Sequence, residues 1–174
     1  KTLANGLEVF VVERRDLPKV AVQFSTRAGV VADPVGKEGT AFLAAQNVDL
    51  GTAKRSALEI EAALGDLGTV LTGGAAREGA NLQLEVLTRN VDAALGIVAE
   101  VLRTPSFPQA EFDREKQNLL ANLQQQNNNP NAVANRVRNF LAFGREHPYG
   151  RPAQGLPSTV ERITRDDVAR HRTV

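Results

Sequence analysis

No cysteine, methionine or tryptophan occurs among the 174 residues, and aromatic residues make up only 5% of them. Without cysteine the chain can form no disulfide framework, no thiolate metal site and no cysteine nucleophile, and its redox compartment is left open. Charge of one sign is also missing, because 21 Lys+Arg stand against 20 Asp+Glu for a formal net charge of +1. So weak a field makes nucleic acid and anionic membrane poor partners. No apolar run approaches the roughly 18 residues that a membrane-spanning helix needs. With Lys1 first and no methionine anywhere, the sequence is read as a segment of a longer chain whose targeting signal would lie outside it. What is there is 42% hydrophobic and 24% charged residues, the profile of one globular domain over residues 1–174.

The pattern of apolar residues predicts where elements lie. Leu7 to Glu13 is rich in β-branched and aromatic residues, and Val20, Val22 and Phe24 alternate with Ala21, Gln23 and Ser25, so two strands joined through Arg15–Pro18 are expected. Phe10 and Val12 alternate with Val9 and Val11, which makes the first strand apolar on both faces, as for a strand covered on both sides. Gly29 to Gly39 reads as a loop. Ala41, Leu43, Ala44, Val48 and Leu50 share one helix ended by Gly51-Thr52, and Ser56 with Glu59 forms a capping box for a second. Thr69–Thr72 and the alternating Leu82, Leu84 and Val86 predict another strand pair turning at Gly73-Gly74 and Arg77–Gly79.

Val91, Leu95, Val98 and Leu102 mark an amphipathic helix. The longest helix opens at Pro108 and carries Phe112, Leu119, Leu120 and Leu123. Val133, Val137, Phe140 and Leu141 give a further helix, Gly144 to Leu156 a loop, and Thr164 with Asp167 caps the last helix. The expected order is β-β-α-α-β-β-α-α-α-α, which is α+β with an antiparallel sheet and helices on one face.

Searching the same residues for chemistry returns mostly negatives. His147 and His171 have no second ligand at helical spacing and read as surface or capping residues. Glu111 and Glu115 stand one turn apart, but Arg114 and Lys116 on the same helix make them a solvated face. No phosphate-binding loop and no nucleophile elbow occurs.

Several stretches nonetheless follow one another in a familiar order. They are Leu3–Val9, Gly39–Gln46, Gly51–Ile60, Thr104–Pro108, the loop His147–Pro152 and the ending Ile163–Val168. This series resembles the insulinase/pitrilysin family of zinc peptidases, family M16, over nearly the whole chain. Active members carry an inverted zinc motif, His-x-x-Glu-His, on the helix after the second strand, and a distal Glu on the long helix. The spacing suits the chemistry, since residues i and i+4 present two imidazoles to one Zn²⁺ and the Glu between them takes a proton from bound water. The resemblance places the first His at Phe42, the base at Ala45, the second His at Gln46 and the distal Glu at Asn122. Glu115 matches a second helix Glu of the family and is the one carboxylate retained.

The resemblance therefore implies an M16-like domain without catalytic or metal-binding residues, with zinc expected only in a partner half. It implies the first subdomain of a metal-free half that shapes a peptide-binding chamber and supports a catalytic half or subunit, and it leaves a homo-oligomer open. Bacterial relatives imply periplasmic residence. Two other classes stay open: a freestanding peptide-binding or assembly module with no peptidase partner, and an enzyme of unrelated chemistry using Glu115, Asp113 or His147.

Overall fold

Alternation along two strands decides which face of the sheet is covered. The computed structural model describes residues 1–171. It places β1 at Lys19–Thr26, β2 at Thr72–Ala75 and β3 at Ala80–Leu87 in one antiparallel sheet of order β1-β3-β2. Val20, Val22 and Phe24 lie opposite Val86, Leu84 and Leu82. Leu82, Leu84 and Val86 are buried, while Gln23, Ser25, Gln83 and Glu85 on the other face are exposed. Helices therefore cover one face only, as an antiparallel sheet allows, and the α+β architecture expected from the sequence is the one observed.

Seven α-helices and three short 3-10 turns lie among the described residues, the α-helices being α1 at Thr40–Asn47, α2 at Ala57–Asp66, α3 at Val91–Arg103, α4 at Gln109–Gln126, α5 at Pro130–Phe143, α6 at Pro157–Val160 and α7 at Arg165–His171. Two cores result. Ile60 and Leu64 of α2 and Ala94, Ile97, Val98 and Val101 of α3 pack on the covered sheet face. Leu43 of α1, Phe112, Leu119 and Leu123 of α4, and Val160, Ile163 and Val168 form the second. The second core matters most for function, because it fixes α1 against α4.

Three expectations are corrected. Residues 9–15 form no strand; the chain before them folds on itself through a Thr2–Glu8 bridge, a bond from the Val9 amide to the Lys1 carbonyl and one from the Lys1 amino terminus to the Val9 carbonyl. Phe10 is 86% exposed and Val12 87%, so the segment is not covered on both sides. Strand preference follows burial against neighbours, and no described element covers these side chains. The expected order thus loses its first strand and, with the short α6, gains a fifth helix after β3.

Gly73 and Gly74 lie inside β2 rather than at its turn, and the chain reverses at Ala76–Gly79, where the Ala76 amide bonds the Gly79 carbonyl at 2.7 Å. A Cβ on Gly73 would sit 2.5 Å from the carbonyl oxygen of Ala45. The glycine is there so that α1 can lie close on the strand. The third correction is that α1 stops at Asn47, three residues short of Leu50, because the Leu50 amide turns back to the Asn47 carbonyl in a tighter i→i+3 bond.

The capping box at α2 is present as expected, with the Glu59 amide donating to Ser56 Oγ and the Ser56 amide to Glu59 Oε2. Ser56→Ala is expected to cost about 1 kcal/mol, read as a lower denaturant midpoint with an unchanged slope. An unchanged midpoint would show that α2 is held by packing alone.

Candidate functional site

The helix that would bear the inverted motif begins where the Gly29–Gly39 loop delivers a carboxylate to it. Asp33, 4% exposed, accepts the Gly39 amide at 2.8 Å and the Ala41 amide at 2.7 Å. Two first-turn donors of α1 are satisfied from outside the helix, where a negative charge also suits its dipole. Burial raises the Asp33 carboxyl above its ordinary pKa, against the two amide bonds and the nearby His171. His171 itself corrects an expectation: it is 6% exposed, with Nε2 3.3 Å from the Ala28 carbonyl, rather than a surface residue. Packing of α7 on α1 buries it.

Phe42 and Ala45 are half-buried on α1, and Gln46, one turn beyond Phe42, is exposed. Phe42 packs on the second core. Asn122 is exposed on α4, which packs against α1. As a donor set these four side chains offer two neutral carboxamides and no imidazole, thiolate or carboxylate. They do not fit a zinc ion, whose protein ligands are Cys, His, Asp or Glu. Among the described residues no group of three or more His, Cys, Asp or Glu is placed to hold a metal.

The retained Glu115 is half-buried and lies 3.3 Å from Arg114, which also pairs with Glu111 at 2.7 Å. The two carboxylates thus share an arginine. Asp113 accepts from Gln109 at 2.9 Å, and His147 stacks on Phe143 with ring centroids 5.6 Å apart while its Nδ1 accepts the Tyr149 amide. Each candidate of the unrelated-enzyme reading is engaged locally.

Two residues beside the site escaped the sequence reading. Burial raises the pKa of the Asp49 carboxyl, and the charge of Glu115 pushes it the same way. Asn47 is 1% exposed, donating Nδ2 to the Leu43 carbonyl at 2.8 Å while its Oδ1 has no protein partner. Asn47 is a polar residue at the buried end of the short helix α1, and that mismatch was its signal; Asp49 lies in the turn just beyond the helix.

Beside Asn122 the end of α4 opens into a cleft of about 450 Å³ lined by Asn122, Gln125, Gln126, Asn128, Asn129 and Gln154. Adjoining it through Asn128 is a wider groove of about 860 Å³ along α5, with Val133, Val137 and Leu141 in its wall. No residue of α5 is buried. On α7, which also packs on α1, Asp167 binds Lys37 at 2.5 Å, Arg170 at 2.7 Å and the Thr164 hydroxyl at 2.7 Å.

Burial alone would raise the Asp167 carboxyl, but the bonds from Lys37, Thr164 and Arg170 outweigh it and hold the pKa well below the usual carboxylate range. A carboxyl depressed on folding adds stability at neutral pH and loses it as pH falls below its unfolded value of 3.8. Asp33, raised on folding, acts with the opposite sign. Asp167→Asn is therefore expected to be less stable than the natural chain at neutral pH and to lose less on acidification from about pH 5 to 3. Thermal midpoints over that range measure it, and parallel profiles would contradict it.

Comparison with known proteins bears on this arrangement. The family model described as Insulinase (Peptidase family M16) matches residues 9–154. An "Uncharacterized zinc protease" of Rickettsia bellii is 24% identical over 94% of this chain and 40% of the relative. A "Probable mitochondrial-processing peptidase subunit beta" of Arabidopsis thaliana is 28% identical over 96% of this chain and 31% of the relative. A crystal structure described as the peptidase M16 inactive domain from Pseudomonas fluorescens superposes with a TM-score of 0.92 at 27% identity, over 98% of this chain and 42% of that one. The chain thus spans well under half the length of these relatives.

Proposed function

This chain belongs to the insulinase family, peptidase family M16, and on that premise we propose that it is a non-catalytic unit of the family. It shapes a peptide-binding chamber and supports a zinc-bearing half or subunit that performs the hydrolysis. The observation that carries the reading is the donor set at Phe42, Ala45, Gln46 and Asn122. Zinc peptidase chemistry needs ligands that hold the ion and a base that takes a proton from its water, and none of these side chains can do either. The neighbour described as an inactive M16 domain, similar over 98% of this chain, supports the same conclusion.

The share of each relative that is covered suits the first subdomain of one half of a larger unit. Surface chemistry suits neighbours as well. Phe10, Val11 and Val12 form a run of exposed apolar side chains, and Leu141 on α5 is 75% exposed, surface that a neighbour would cover. The test is binding without turnover. The fluorescence anisotropy of a labelled unstructured peptide is expected to rise as the chain is added, while mass spectrometry finds the peptide intact. A peptide that is not bound, or that is cleaved, contradicts the reading.

A further inference from the structure

The position that the family resemblance gives to the distal zinc ligand opens onto carboxamides. We propose that the cleft formed by Asn122, Gln125, Gln126, Asn128, Asn129 and Gln154 is a binding site for the main chain of an extended, unfolded peptide. This rests on the peptide-chamber reading and names the group that does the holding.

The lining carries no charge, and from Gln117 to Asn135 the sequence has no ionisable side chain at all. An acidic or basic side chain therefore finds no ion pair within the cleft itself. What the lining offers is amide donors beside amide acceptors. A carboxamide presents an N–H₂ and a C=O, the complement of the N–H and C=O that every peptide unit carries whatever its side chain.

Asn122, Gln125 and Gln126 share one face of α4 at i, i+3 and i+4. Part of that hydrogen-bonding capacity is already spent on shape. Gln126 donates to Gln154 at 2.8 Å, bridging the two walls, and Asn129 Oδ1 accepts the Asn131 and Ala132 amides at the start of α5, which leaves its N–H₂ free. The side chains of Asn122, Gln125 and Asn128 make no hydrogen bond with any described residue.

The adjoining groove decides between a peptide and a sugar. Both pair with carboxamides, but a sugar ring packs on an aromatic platform, and no aromatic residue lines either the cleft or the groove. The wall of the groove carries the aliphatic Val133, Val137 and Leu141 beside one cation, Arg138, and it meets the cleft at Asn128. An extended segment held by its main chain in the cleft would place an apolar side chain in the groove, since alternate side chains of a strand point the same way about 6.6 Å apart.

The experiment measures anisotropy with three labelled probes: an unstructured peptide, a scrambled peptide of the same composition, and the first peptide N-methylated at alternate residues. Maltohexaose serves as an unlabelled competitor. Gln125→Ala/Asn128→Ala changes only exposed residues, one in the last turn of α4 and one in the turn that follows it. The two unmethylated peptides are expected to bind with affinities within roughly threefold of each other, the N-methylated one at least roughly tenfold more weakly, and the double variant to bind the first peptide roughly tenfold more weakly. Equal binding of the N-methylated peptide, or full binding by the double variant, overturns the cleft assignment while the chamber reading stands. Displacement by maltohexaose overturns the peptide assignment in favour of a glycan. Absence of binding by any peptide overturns both.

Discussion

Restoring the four positions together, in F42H/A45E/Q46H/N122E, is expected to give a chain that holds one Zn²⁺ through dialysis. The reasoning is geometric. Positions 42 and 46 lie one turn apart on α1, so two imidazoles there converge on one point, and α4, on which the family resemblance puts the third ligand at position 122, packs on α1. Gln46 and Asn122 are exposed, so new ligands there disturb little packing. Phe42 is half-buried against the second core, and its loss lowers stability, which bound zinc then recovers by mass action. The triple variant F42H/A45E/Q46H lacks the third ligand and is expected to lose zinc on dialysis. Equal retention by triple and quadruple variants would show that Asn122 does not face the motif helix, and no retention by either would show that α1 is not that helix.

Phe112→Ala should have the largest effect on stability. Phe112 is 2% exposed and joins Leu43 of α1 to Leu119 and Leu123 of α4. Truncating a buried phenylalanine costs about 3–5 kcal/mol through lost transfer energy and the cavity left behind, against a whole-domain stability of roughly 5–15 kcal/mol. The Lys116 ammonium 5.8 Å above the ring also loses its aromatic partner. Urea unfolding followed by circular dichroism measures the change. A loss below about 1 kcal/mol would mean that the core between α1 and α4 is not what positions the site.

Much of this fold was legible because local chemistry and tertiary packing agree. Ser56 and Glu59 cap α2, Thr164 and Asp167 open α7, and Leu82, Leu84 and Val86 alternate toward the core. The misreadings have a common cause, which is that a residue's partner was not local. Val9–Val12 look like a strand, but a strand exists only with a neighbour beside it. Gly73 looks like a turn glycine, yet it is explained by the Ala45 carbonyl of α1. His171 looks exposed until α7 folds back on the loop at Ala28.

The site divides in the same way. That Phe42, Ala45, Gln46 and Asn122 can hold no zinc follows from their side-chain chemistry alone. That Asn122 stands at the rim of an uncharged cleft does not, because Gln154 reaches it from a loop distant in sequence through its bond to Gln126. The amide run before Pro130 becomes a lining only through folding.

The central claim is that this chain has the M16 fold and no metal chemistry of its own. Elemental analysis of the purified, dialysed natural chain, with peptide hydrolysis followed on the same sample before and after a chelator, tests it most directly. No stoichiometric zinc and an intact peptide under both conditions is the predicted result. One zinc per chain with chelator-sensitive cleavage would contradict the assignment of Phe42, Ala45, Gln46 and Asn122 and the function built on it.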